Sequence, residues 1–152
     1  ITHLMREVVL FGTGAPAQRL GKPAAGKTGT TNDSFDTWFM GFTKDLVTGV
    51  WMGYDQYDHP LGKYETGGRA SLPVWVEFMK NALGERPQKD FSQPPPEADI
   101  VWANIDPETG KLAPPGARKK VHAPFVRDTE PKETEVEPGG VDPRDFGYRD
   151  IP

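Results

Sequence analysis

Ile1, Leu4, Met5, Val8 and Val9 follow the i, i+3, i+4, i+7, i+8 spacing of one helix face, and Gly12 with Gly14 supplies a stop. Residues 15–23 hold two prolines and predict a connecting loop. The period then changes from that of a helix to two. Residues 24–31, 37–42 and 47–54 read as three strands, with Lys44-Asp45 at the turn between the last two. Alternation puts Trp38, Met40 and Phe42 on one face of their strand and Val50, Met52 and Tyr54 on one face of theirs. Two neighbouring strands with large apolar faces predict an antiparallel hairpin with a helix laid against it.

After the polar stretch ending at Gly67-Gly68, Ser71 is placed to cap a helix running to about Leu83, with Pro73 in its first turn. Val74, Trp75, Phe78, Met79 and Ala82 form the predicted buried stripe, and Gly84 ends the helix. Beyond Pro94-Pro95-Pro96, residues 100–105 and 111–113 predict a small hairpin around Asp106-Pro107-Glu108-Thr109-Gly110. From Pro114 onward, apolar residues are too sparse to offset an ordering cost of about 1 to 2 kcal/mol per residue, which predicts disorder. The expected organisation is a folded region over 1–90, a proline-rich linker with a small hairpin over 91–113, and a disordered tail over 114–152.

Composition sharpens this division. Through residue 90 there are ten basic and ten acidic side chains, whereas residues 91–152 carry eight basic against twelve acidic and eleven of the sixteen prolines. A net charge of −4, with only Arg118-Lys119-Lys120 as a basic run, leaves no footprint for nucleic acid. The chain has no cysteine, so disulfides and thiolate metal sites are excluded. No apolar run approaches the roughly 18 residues needed to span a bilayer. The opening at Ile1, on a helix already under way, predicts that a longer protein continues upstream.

The candidate chemistry lies in Gly26-Lys27-Thr28-Gly29-Thr30-Thr31-Asn32-Asp33, followed by Asp36-Thr37-Trp38-Phe39-Met40-Gly41-Phe42. Lys-Thr-Gly leading through a polar turn into a Trp-Phe strand resembles the third active-site motif of the penicillin-binding transpeptidases, whose other motifs are Ser-x-x-Lys and Ser-Asp-Asn. Those two are absent: three residues beyond Ser34, Ser71 and Ser92 stand Thr37, Val74 and Pro95. Met5-Arg6-Glu7-Val8-Val9 leading to Gly12-Thr13-Gly14, Gly49-Val50-Trp51-Met52-Gly53-Tyr54-Asp55, Glu65-Thr66-Gly67-Gly68, Pro73-Val74-Trp75 and Ile105-Asp106-Pro107-Glu108-Thr109-Gly110-Lys111-Leu112-Ala113 resemble the bifunctional class A penicillin-binding proteins, in that family's order.

The resemblance implies an α+β fold of the serine β-lactamase and DD-peptidase type, an antiparallel sheet flanked by helices, of which this chain holds the C-terminal portion. It implies that Lys27 holds the substrate's terminal carboxylate and assists proton passage, that Thr28 and Thr30 offer hydroxyls to that carboxylate, and that the Thr30 backbone N–H is an oxyanion donor. Gly29 is expected to let a peptide lie close along the strand edge. Lys27 and Thr28 alternate to opposite faces, so both serve one site only on an edge strand.

The implied partners are peptidoglycan stem peptides, lipid-linked precursors, β-lactam antibiotics and the upstream half of the same domain, which would carry the serine. Neither cofactor nor metal is implied. The implied location is the outer face of a bacterial inner membrane, through an N-terminal anchor, with a glycosyltransferase domain upstream.

Two rival readings stand beside this one. Residues 21–28, Gly-Lys-Pro-Ala-Ala-Gly-Lys-Thr, match the phosphate-loop pattern Gly-x4-Gly-Lys-Ser/Thr, which requires a strand before the loop and a helix starting at the lysine. A non-catalytic cell-wall interaction module would recruit partners through the proline-rich tail. Asp55, Asp58 and His59 cluster as metal ligands would, but their loop of Pro60 and Gly62 reads as a polar turn. Trp38, Trp51 and Trp75 read as core rather than as stacking platforms.

Overall fold

A computed structural model of the chain describes residues 1–135, which fall into two compact units divided between Gln93 and Pro94. The first unit is an antiparallel sheet with helices on one face. Helix α1 (Thr2–Phe11) ends where the Gly12 and Gly14 N–H groups both donate to the Val8 carbonyl. The predicted loop over 15–23 is largely a 3-10 helix, Ala15–Leu20, which buries Ala17 and Leu20. Strands β1 (Ala25–Thr30), β2 (Asp36–Phe42) and β3 (Val47–Gly53) follow in spatial order, each antiparallel to the next. Helix α2 (Ser71–Leu83) closes the unit.

Strand β3 covers the predicted face, with Val50 packed against the core and Met52 half-buried, but β2 covers the face opposite to the one predicted. Thr37, Phe39 and Gly41 of β2 are buried, while Trp38 and Trp51, paired across β2 and β3, remain 44% and 43% exposed. Only Trp75 of the three tryptophans predicted to be core is buried there. Its indole lies over Gly41, where an added Cβ would sit 2.7 Å from ring carbons, meets Phe39 edge-on at 5.1 Å, and donates through Nε1 to the Thr48 carbonyl at 3.1 Å. Glycine on one strand thus makes room for the largest side chain of the helix, and that match selects the face.

The stripe on α2 is rotated accordingly. Leu72, Trp75, Val76, Met79 and Leu83 are buried against Phe39, Val9, Ala17 and Leu20, whereas Val74 and Phe78 face solvent. Ser71 does not cap the helix. Its hydroxyl is 2.8 Å from that of Thr37, and both are fully buried, so the two polar groups satisfy each other inside the core.

In the second unit, β4 (Ile100–Ile105) pairs with β5 (Val121–Val126), antiparallel throughout. The predicted hairpin with residues 111–113 is therefore corrected, since Leu112 makes only an isolated bridge to Ile105. The turn between them did form. Asp106 Oδ1 accepts from the N–H groups of Glu108 and Thr109 at 2.8 and 2.9 Å, and Asp106 N–H donates to the Lys111 carbonyl. Disorder from residue 114 is also corrected for residues 121–126, where a complete ladder satisfies the backbone despite Pro124. The expectation for residues 136–152 lies outside the described residues.

Candidate functional site on the β1 edge

Strand β1 is hydrogen-bonded to β2 on one side only, so its other side is an edge among the described residues. Register places Thr28 opposite Phe39 and Thr30 opposite Thr37 on the covered face, and Lys27 opposite Met40 and Gly29 opposite Trp38 on the other. By alternation alone Lys27 and Thr28 part company. The lysine, however, is long enough to wrap the rim: its Nζ donates to the Thr28 carbonyl at 2.8 Å and lies 3.4 Å from Thr28 Oγ1. Ammonium and hydroxyl from opposite faces thus meet at the edge. Lys27 makes no ion pair among the described residues, which leaves its full charge to an incoming anion.

Successive residues of a strand direct their N–H and C=O groups alternately to either side. With the Thr28 carbonyl at the rim under the Lys27 ammonium, the N–H and C=O of Thr30, two residues on, face the same way. That is the geometry in which an extended peptide adds to a sheet.

Two neighbours hold the hydroxyls in place. Thr13 Oγ1 is 2.8 Å from Thr28 Oγ1, and Thr30 Oγ1 accepts from the Gly67 N–H at 3.1 Å. Each threonine hydroxyl accepts and donates, so both retain capacity for a ligand. Thr13 was missed as a site residue in the sequence, where Gly12-Thr13-Gly14 was read as a helix stop and as part of the family resemblance but given no role at the site. A hydroxyl set between two glycines was the available signal. Gly67 is pressed onto the β1–β2 backbone so closely that an added Cβ would stand 2.2 Å from the Trp38 carbonyl oxygen and 2.6 Å from that of Gly29. Gly29 itself faces Trp38, whose Cβ would lie 3.2 Å from an added Cβ, so its lack of a side chain already serves cross-strand packing.

The phosphate-loop reading is overturned by this geometry. Lys27 and Thr28 lie within a strand, no helix begins at the lysine, and Gly21 ends a 3-10 helix in the left-handed region at φ 69°. Asp58 and His59 pair with each other, and no group of three or more potential metal ligands gathers among the described residues.

Comparisons with known proteins place the chain among relatives. The family described as "Penicillin-binding protein 1A, C-terminal domain" matches residues 96–137. The chain is 43% identical over 141 residues to Penicillin-binding protein 1A of Pseudomonas aeruginosa, a match spanning 91% of this chain and 17% of that protein. Identity to Penicillin-binding protein 1A of Aquifex aeolicus is 43% over 128 residues, spanning 84% of this chain and again 17% of the relative. Among solved structures, the 2.6 Å crystal structure of Penicillin-Binding Protein 1A from Haemophilus influenzae matches with a TM-score of 0.74 and 33% identity, over 89% of this chain and 21% of that one. The chain therefore spans less than a fifth of the curated relatives' length.

Proposed function

The chain belongs to the class A penicillin-binding proteins, corresponding to a C-terminal part of them, and from that membership we propose that its β1 edge is the substrate-holding and oxyanion wall of a D-alanyl-D-alanine transpeptidase. The parent protein cross-links peptidoglycan through a serine acyl-enzyme and reacts with penicillins at the same serine, which lies upstream of Ile1. A glycosyltransferase domain and a membrane anchor precede it, and the site faces outward from the bacterial inner membrane; among the described residues no helix is long and apolar enough to cross a membrane.

The observation that carries this reading is the Lys27 ammonium folded over the free edge to Thr28. A stem peptide laid antiparallel along β1 brings its C-terminal carboxylate to the Lys27 end, where one full positive charge and the Thr28 and Thr30 hydroxyls receive it. Its scissile carbonyl then falls beside Thr30, whose N–H stabilises the oxyanion as the tetrahedral intermediate forms. Loss of one such donor typically costs on the order of a hundredfold to a thousandfold in rate. The second donor is the N–H of the upstream serine. Lys27 also lies where it raises the acidity of a hydroxyl that returns the proton to the departing D-alanine.

No serine in this chain has the lysine that would activate it, and an unactivated hydroxyl is a weak nucleophile at neutral pH. A fluorescent penicillin should accordingly leave this chain unlabelled and label the protein that extends upstream through Ser-x-x-Lys. Stoichiometric labelling of the chain alone would contradict the assignment of the nucleophile.

A further inference from the structure

Thr13 reaches the β1 edge from the loop that leaves α1. The Gly12 and Gly14 N–H groups both donate to the Val8 carbonyl at 3.0 Å, so the chain turns tightly there and presents the residue between them to Thr28. Gly68 backs onto the same turn, where an added Cβ would stand 3.0 Å from the Thr13 carbonyl oxygen. The loop after α1 and the loop before α2 therefore meet, and Thr13 Oγ1 lies 2.8 Å from Thr28 Oγ1. Thr13 makes no other side-chain hydrogen bond among the described residues, so nothing there competes for its proton.

One proton decides the direction of that bond. Thr28 has a single hydroxyl hydrogen and two lone pairs, and the Lys27 ammonium, 3.4 Å away, can only donate to it. If Thr13 also donates, both lone pairs are occupied and the Thr28 hydrogen is left for a third group. If Thr13 accepts, that hydrogen is used inside the protein. An ionised carboxylate only accepts, so its bond with Thr28 requires the first arrangement, with Thr13 as donor. Hydroxyls linked donor to acceptor polarise one another, which strengthens the last bond of the chain.

Resting on the strand reading above, we infer that Thr13 is a positioning residue of the site: its hydroxyl donates to Thr28 Oγ1 and so aims the Thr28 hydrogen at the substrate's terminal carboxylate. Thr13 acts through Thr28 and touches neither the substrate nor the reacting atoms.

The test uses the intact protein, with its upstream serine, and one penicillin in two forms. The free carboxylate stands for the terminal carboxylate of the stem peptide, and the methyl ester carries no charge at that place. The ratio of their acylation rates, carboxylate over ester, isolates recognition of the carboxylate from everything else the site does. Thr13→Val keeps the branched shape and removes the hydroxyl, and it should lower that ratio about threefold to tenfold by slowing the carboxylate form alone. Thr13→Ser restores the donor and should hold the ratio within about twofold of the unaltered protein. Equal slowing of both forms would make Thr13 a support of the fold only and overturn the inference. No slowing of either form, or a Thr13→Ser ratio as low as that of Thr13→Val, would overturn it too. Failure of the strand reading looks different: the unaltered protein acylates with both forms at the same rate, or Thr28→Val leaves the ratio unchanged, and either result removes the inference with it.

Discussion

Replacing Gly67 with alanine tests whether the loop before α2 fixes the site strand. The new Cβ would lie 2.2 Å from the Trp38 carbonyl oxygen and 2.6 Å from the Gly29 carbonyl oxygen, and both are backbone atoms in a paired ladder that cannot rotate away. Restoring ordinary carbon–oxygen contact moves the loop by about 1 Å, within the range where overpacking costs 1 to 3 kcal/mol. That shift also breaks the 3.1 Å bond from Gly67 N–H to Thr30 Oγ1, a further loss of about 1 kcal/mol. The sum, about 2 to 4 kcal/mol, corresponds to a fall of roughly thirtyfold to a thousandfold in the folded-to-unfolded ratio. Gly68→Ala is the matched control, because its Cβ meets only one backbone atom closely, the Thr13 carbonyl oxygen at 3.0 Å. Urea unfolding followed by tryptophan fluorescence should rank Gly67→Ala well below Gly68→Ala in midpoint. Equal midpoints, or a Gly67→Ala variant within about 0.5 kcal/mol of the parent, would refute the close-approach argument.

Thr37→Val should destabilise by about 1 to 3 kcal/mol, because the buried Ser71 hydroxyl loses its partner, while adding Ser71→Ala should recover part of that loss; a double variant worse than the sum of the singles would contradict the pairing. The Asp106 carboxyl is held below its ordinary range, first by the Thr109 N–H and next by the Glu108 N–H. A depressed folded value means that the turn gains stability above the unfolded pKa and loses it as pH falls through the folded one. NMR of the Glu108 and Thr109 amides should therefore titrate with a midpoint below that of an unstructured aspartate peptide, and a midpoint at or above it would remove the Asx-turn account.

The order of helix and three strands was legible because their periods differ, and α2 ends at Leu83 as predicted, although it begins at Ser71, the residue expected to cap it. The face that β3 buries was legible too, but those of β2 and α2 were not. Alternation defines two faces of β2 without ranking them, and hydrophobicity favoured Trp38 and Met40 over Thr37 and Gly41. The outcome turned on Trp75 needing the space above Gly41, a long-range match that no local pattern contains. β5 escaped for a related reason. Its partner β4 ends sixteen residues earlier, and Pro124 with charged neighbours hides a strand whose stability comes from the ladder.

At the site, the Lys-Thr-Gly-Thr motif and its need for an edge strand were readable. The supporting Thr13, and the Gly67 contact beneath Thr30, depend on loops folded back from 15 and 37 residues away.

The most direct test of the central claim is the rate of β-lactam acylation in the intact protein carrying Lys27→Ala, measured beside its melting temperature. Because the lysine is exposed on an edge strand, its loss removes a charge from the site and little packing. Acylation should slow by roughly a hundredfold while the melting temperature stays nearly unchanged. Acylation at the unaltered rate would mean that the β1 edge does not hold the substrate, whatever family the chain belongs to.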